Sequence, residues 1–303
     1  MELGGVASGH LVNAAGNLGT PAITASANTF CPGDVVTFTA TPQTGPGFAT
    51  PTGYSWQLPS GNGWSSQSSS GNTIVVTIGS VAGTVQAAAT NFCGSSSFAS
   101  FAVNIPSVPI QPSAILGPLQ ACIGSDATFS TPQVSGVTYA WSITPWGGPG
   151  GPSASIQTTI GATNATITVT PYNSCGVAGP PRMETIIVTA PPSAGEDGTL
   201  AICSNGPATS LFPQLQGTPG AGGVWRHNGV VVSGIYNPAT NVPGVYTYTV
   251  SGSGPCPDAS ANVLVTEPQM PNAGFDEALT LCTNAAAVLM TNQLGGAPQN
   301  GGS

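Results

Sequence analysis

The residues of this 303-residue chain that could do chemistry are seven cysteines, two histidines and ten carboxylates. The cysteines are Cys31, Cys93, Cys122, Cys175, Cys203, Cys256 and Cys282. Thiolates bind metals or close disulfides, and spacing separates the two uses. No CxxC pair occurs, and only His10 and His227 could complete a zinc set, so the spacing does not match zinc-ligand patterns. Taken in order, Cys31–Cys93, Cys122–Cys175 and Cys203–Cys256 lie 62, 53 and 53 residues apart. Similar spans, one per repeat, predict one disulfide per domain and an oxidising compartment. Cys282 is left unpaired, because the same span from it runs past residue 303.

Catalysis finds little support. A serine triad needs a histidine, a carboxylate and a nucleophile that converge. His227 sits in Trp225-Arg226-His227-Asn228-Gly229, which reads as a hairpin turn. A glycosidase needs two facing carboxylates. Glu184 stands nearly alone in its repeat, and the other acids fall near domain edges. The chain therefore reads as non-enzymatic, with no cofactor. Calcium is the one metal with candidate ligands: Glu196 and Asp197, then Glu267, Asp276 and Glu277, recur where one repeat gives way to the next. Calcium takes six to eight oxygens, so an ion there would stiffen a junction, against a background of solvated edge acids. Two tryptophans, Trp64 in Ser60-Gly61-Asn62-Gly63-Trp64 and Trp146 in Thr144-Pro145-Trp146-Gly147, fall in glycine- and proline-rich loops. Loop aromatics can stack on a sugar or anchor a partner, or fold back over their own domain.

Charge narrows the partners. Charged residues make up 4% of the chain and the net charge is −8. There is no lysine, and the only arginines are Arg182 and Arg226, so nucleic acid is disfavoured. No run of 18 apolar residues exists, which argues against insertion in a membrane, and the first residues do not read as a signal peptide. Without lysine, a Lys–Asn isopeptide cannot form, so covalent reinforcement falls to disulfides.

The elements that must hold these residues are short strands. Val35–Ala40, Thr73–Ile78, Thr166–Val169 and Val245–Val250 are β-branched or aromatic and bounded by Gly, Pro or Asn. Alternation turns one side of each to a core and leaves threonine outside. Residues 284–290 come nearest to a helix and still read as strand or loop. The first cysteines recur with a period of roughly 80–90 residues, the size of a small β-sandwich rather than of a solenoid repeat. Each full repeat places a tryptophan between its cysteines, Trp56, Trp141 and Trp225, which the sandwich pattern assigns to the core. Pro243-Gly244-Val245-Tyr246 reads equally as the turn before a tyrosine corner or as ordinary strand.

Proline-rich boundaries at 105–112, 190–192 and 267–271 divide the chain. The parts are an N-terminal segment (1–21), three sandwiches (22–106, 107–190, 191–267) and the incomplete start of a fourth (268–303). Spaced prolines predict extended, semi-rigid connections, hence beads with limited flexing. The fourth repeat is announced by 272–282, which parallels 193–203. The first and second share Tyr54-Ser55-Trp56 with Tyr139-Ala140-Trp141, and Asn91-Phe92-Cys93-Gly94 with Asn173-Ser174-Cys175-Gly176.

The pieces CPGDVVTFTATP, GYSWQLPSG, NTIVVTIGSVAG and TNFCGSSS resemble PKD-like, immunoglobulin-like repeats of very large cell-surface proteins of Bacteroidota. AGEDGTLAICSNGPATSLFPQLQGTPGAGGVW and YNPATNVPGVYTYTVSGSGPCPDASANVLVT resemble a sister repeat of the same proteins. The resemblance covers roughly residues 22–303 and implies tandem all-β sandwiches, export by type IX secretion, and adhesive or gliding-associated roles at the cell surface. It names no ligand. Three readings follow: a structural segment of an adhesin, stalk or filament; a module binding surface polysaccharide or protein through loop aromatics; and a subunit that self-associates by strand exchange. In the first, the partners are other repeats of the same chain.

Overall fold

A computed structural model describes residues 17–148 and 150–299. His10 and residues 1–16 of the N-terminal segment lie outside the described residues. Contact density divides the chain into two compact units: Met1–Gly117, Thr128–Thr158 and Thr166–Glu184; and Pro118–Ala127, Thr159–Ala165 and Thr185–Ser303.

Eight strands come from the first repeat: β1 (Ala22–Ala25), β2 (Val35–Thr41), β3 (Gly53–Gln57), β4 (Ser65–Ser70), β5 (Thr73–Thr77), β6 (Gly83–Asn91), β7 (Gly94–Ser95) and β8 (Ala99–Val103). One sheet has the order β1-β2-β5-β4, and in the other β6 pairs with β3, β7 and β8. β2 and β5 pair antiparallel, Val36 opposite Val76 and Phe38 opposite Ile74. These four side chains are buried, while Val35, Thr37 and Thr39 alternate outward. Val85 of β6 and Val103 of β8 join the same core from the second sheet. Alternation thus makes a two-sheet sandwich with one shared interior.

The second repeat supplies β9 (Gln120–Cys122), β10 (Asp126–Ser130), β11 (Thr138–Thr144), β12 (Ser155–Thr159), β13 (Ala165–Tyr172) and β14 (Arg182–Thr189). β10 pairs with β12, and the other sheet has the order β11-β13-β14-β9. Tyr139, Trp141 and Ile143 of β11 and Ile167 and Val169 of β13 point inward. β9 runs parallel to the end of β14, with Cys122 opposite Thr189.

The third repeat contains β15 (Gly198–Ala201), β16 (Thr209–Ser210), β17 (Val224–His227), β18 (Val230–Val232), β19 (Ile235–Tyr236), β20 (Gly244–Val250) and β21 (Ala259–Thr266). Its main sheet runs β15-β21-β20-β17-β18, and β16 pairs with β19. Trp225, Tyr236, Tyr246 and Tyr248 build an aromatic core with Leu211, Val263 and Val265. Trp225 and Tyr248 have ring centroids 5.0 Å apart. The Tyr246 hydroxyl donates to the Val242 carbonyl at 2.9 Å, which is the tie-back of a tyrosine corner.

The next segment repeats the opening of the third. Phe275 bridges Gly295 as Glu196 bridges Gln216, and a short 3-10 turn at Met290–Gln293 stands where Phe212–Gln214 stands in the third repeat. Residues 284–289 form neither helix nor strand.

The structure changes three expectations. The disulfides are Cys31–Cys175 and Cys122–Cys256, not Cys31–Cys93, Cys122–Cys175 and Cys203–Cys256. Cys93, Cys203 and Cys282 are free and exposed. The physical reason is proximity: Cα separations of 5.5 Å and 4.9 Å suit a disulfide, and a cysteine bonds to whatever the fold brings beside it. Second, Trp64 is core rather than a ligand-contacting loop residue, at 8% exposure. Gly61, Asn62 and Gly63 carry φ of 74°, 52° and 82°, a left-handed run that Gly and Asn permit and that turns the chain inward ahead of Trp64. The Trp64 indole N–H donates to the Val81 carbonyl at 3.2 Å. Third, Trp56, expected in that core, is only half-buried and packs at its margin, with its indole N–H buried and lacking a hydrogen-bond partner. β3 sets Trp56 opposite Ala87, and Trp64 is the tryptophan that joins the buried cluster. Trp141 and Trp225 are buried.

Candidate functional site

The chemistry that the structure assembles is covalent and structural. Cys31 closes the approach to β2, directly after Phe30, whose ring lies 6.3 Å from Phe38 in the first core. Its carbonyl accepts from the Asp34 N–H at 3.0 Å, while the Asp34 carboxylate accepts from the Cys31 N–H at 2.9 Å. The small ring of contacts fixes where the sulfur points. Its partner Cys175 lies in the turn after β13, and that turn is organised by Asn173.

Asn173 is 6% exposed and uses all four of its hydrogen-bonding positions. Its Oδ1 accepts from the Cys175 N–H at 3.0 Å and the Val177 N–H at 2.9 Å. Its Nδ2 donates to the Pro106 and Ser107 carbonyls, each at 3.1 Å. One buried amide therefore shapes the cysteine turn and holds the proline-rich connection against it. A buried amide so satisfied rewards one geometry and penalises others.

The connection 105–117 is consequently a strap and not a free spacer. Gln111 Nε2 donates to the Pro181 carbonyl at 2.7 Å, Thr131 Oγ1 donates to the Ala114 carbonyl at 2.8 Å, and Leu116 exchanges two backbone hydrogen bonds with Ser130. Where the strap crosses, a Cβ on Gly179 would collide with the Pro109 carbonyl, so only glycine fits. Proline supplies rigidity but no N–H, and side-chain amides therefore make much of the attachment. A cleft of about 450 Å³ opens beside the strap, lined by Pro106, Val108, Ile110, Val134, Tyr139 and Pro171 among others.

The second clasp joins Cys122, at the end of β9, to Cys256 in the turn between β20 and β21. Both are buried. The Cys256 sulfur lies 3.2 Å from the Thr189 carbonyl oxygen, whose hydrogen bond comes from the Ile123 N–H at 3.0 Å. The Asp258 carboxylate braces the turn by accepting from the Gly252 N–H at 2.8 Å.

The other sequence candidates are not drawn together. Among the described residues no three His, Cys, Asp or Glu side chains gather as a metal site would require. Of the junction acids, Glu267 accepts from the Tyr236 hydroxyl at 2.6 Å, and Asp197 accepts from the Asn262 N–H at 2.7 Å. Burial, reinforced by Glu267, pushes the Tyr236 phenol well above its ordinary value. His227 stacks on Tyr246 at 4.3 Å, and its two ring nitrogens meet the Val245 carbonyl at 3.0 Å and Asn228 Nδ2 at 3.2 Å. Both nitrogens are taken, which leaves none aimed at a nucleophile. Trp146 is half-buried and already engaged within the protein.

Sequence reasoning missed Asn173 as a site residue, although the shared Asn-x-Cys-Gly of the first two repeats was its signal. The PKD-like domain matches residues 18–103 and again 108–185, together more than half of the chain. The chain belongs to the PKD-like domain family. Solved structures at low likeness include the ice-binding Ca2+-stabilized adhesin of an Antarctic bacterium, 12% identical, with 86% of this chain and 76% of that one covered and a TM-score of 0.35. Three N-terminal domains of the outer capsid protein Hoc of bacteriophage RB49 are also 12% identical, covering 82% and 99%, TM-score 0.33. The FN1–FN3 domains of chicken CNTN1 are 14% identical, covering 84% and 100%, TM-score 0.27. At these scores the likenesses add nothing to the family assignment. No curated protein matches the sequence. As PKD-like repeats, the two matched stretches are joined covalently through Cys31 and Cys175, one from each.

Proposed function

We propose that the chain is a non-enzymatic structural segment of an extracellular surface adhesin, stalk or filament. The observation that carries this reading is the pair of disulfides. Each joins cysteines more than 130 residues apart and so clamps successive repeats to one another. Bonds of this kind persist in oxidising surroundings. A clamp between repeats resists separation under tension, which is what a load-bearing segment requires. The low charge and the absence of lysine suit a chain reinforced by disulfides rather than by isopeptides.

The reading has a mechanical consequence. The shortest covalent path from Cys31 to Cys256 crosses both disulfides and only the chain between Cys122 and Cys175. At roughly 3.4 Å per extended residue, that path reaches about 180 Å, against about 770 Å once both bonds are reduced. Pulled by its ends, the oxidised protein gains about 600 Å of contour on reduction. Equal contour lengths in the two states would reject the load-bearing role. Surface location is tested separately: a broad protease added to intact cells removes the chain while a cytosolic marker survives. Retention of the chain would reject the extracellular placement.

A further inference from the structure

The cysteines fall into two structural classes. Cys31, Cys122, Cys203 and Cys282 each open a turn in which their carbonyl accepts from the N–H three residues on, from Asp34, Ser125, Gly206 and Ala285 at 3.0, 3.1, 2.8 and 2.9 Å. Cys93, Cys175 and Cys256 form the second class and lie in turns late in their repeats. Cys93 copies Cys175 locally: its N–H donates to Asn91 Oδ1 at 2.9 Å, as that of Cys175 does to Asn173 Oδ1 at 3.0 Å.

Both disulfides obey one rule. A first-class cysteine bonds to the second-class cysteine of the following repeat, over separations of 144 and 134 residues. Cys93, Cys203 and Cys282 have no partner of this kind within residues 1–303. Counted forward from Cys203, those separations pass residue 303, and counted back from Cys93, they pass residue 1. Cys93 is an exposed second-class thiol, and Cys203 is an exposed first-class thiol. Beside Cys93 lies Phe92, an apolar side chain that is 91% exposed.

We propose that Cys93 and Cys203 are the two open ends of a ladder of inter-repeat disulfides. Cys203 takes a second-class cysteine from a following β-sandwich repeat, and Cys93 takes a first-class cysteine from a preceding one. The partner is thus a repeat of the same kind, from the same polypeptide or from a second copy, presented in the register that Cys31–Cys175 displays. The bond forms by exchange with a small oxidised disulfide. The Cys203 thiolate attacks one sulfur and releases one thiol. The partner cysteine's thiolate then attacks the mixed disulfide and releases the second, so that one small disulfide is reduced for each protein disulfide formed. Cys282, also first class, is the next rung.

The inference rests on the oxidising compartment of the proposed function, and one experiment separates the two. Material from the native source is alkylated before lysis and digested without reduction by a non-tryptic protease, and the linked peptides are sequenced. We expect Cys31–Cys175, Cys122–Cys256 and a bonded Cys203. A link from Cys203 to Cys93 identifies a second copy as the partner. C93S then abolishes the covalent oligomers on a non-reducing gel. A link to a cysteine peptide outside residues 1–303 identifies another repeat of the polypeptide. Cys203–Cys256 or Cys31–Cys93 links overturn the rule, as does recovery of alkylated Cys93 and Cys203 beside the two intact disulfides. A fully reduced map overturns the inference and the extracellular reading together.

Discussion

Removing the first clasp separates the observed connectivity from pairing within repeats. The Cys31–Cys175 bond closes a span of 144 residues. In the chain-entropy picture such a loop removes about 5 kcal/mol of denatured-state freedom at 25 °C, when the whole span unfolds. With a urea m-value of about 2–3 kcal/mol per molar, the C31S/C175S variant should unfold at a midpoint about 2 M lower. Single C31S and C175S variants should fall by the same amount, since either cuts the same bond. C93S should leave the midpoint within about 0.3 M of the parent, because Cys93 bonds to nothing within the chain. The assay is circular dichroism in urea on oxidised protein, and a parallel series in excess reductant should bring the parent and the four variants together. A C93S loss equal to that of C31S, with C175S matching C122S instead, would refute the reasoning and restore bonds within repeats.

Other outcomes follow from the packing. Trp64→Ala removes a buried ring from the first core and should cost about 3–5 kcal/mol by thermal or urea unfolding; an unchanged midpoint with lost ligand binding would return Trp64 to the surface role. Tyr246→Phe removes the hydroxyl donor to Val242 and should cost about 1–2 kcal/mol; no loss would mean that the tyrosine corner is not stabilising. Burial raises the phenols of Tyr54, Tyr236 and Tyr246 above the unfolded value of 10.0. The native state holds these protons where the unfolded chain releases them, so their contribution is full below pH 10 and is lost as pH rises above it. The melting temperature should fall above pH 10, and Tyr236→Phe should flatten that fall; a flat profile in the parent would contradict the burial.

Much of the fold was legible in the residues. Val35–Ala40 and Val245–Val250 announced strands because alternation is a local pattern that a pleated strand turns directly into an inner and an outer face. The sandwich pattern assigned Trp225 to a core, and it packs there with Tyr236, Tyr246 and Tyr248. Trp56 and Trp64 show where that reasoning failed. Both occur between Cys31 and Cys93, and only the turn at Gly61-Asn62-Gly63 and the pairing of Trp56 with Ala87 decided which ring filled the sandwich.

Sequence by itself determined the all-β repeats, their period and the low charge. These follow from residue types and short-range spacing, which act within a strand or a turn. Tertiary structure decided which sulfurs meet. The distance that matters to a disulfide is measured through space, and spans of 62 and 144 residues are equally open to an unfolded chain apart from a slowly growing entropy. Docking of the 105–117 strap by Asn173 brings Cys175 to Cys31, and no count along the chain contains that contact.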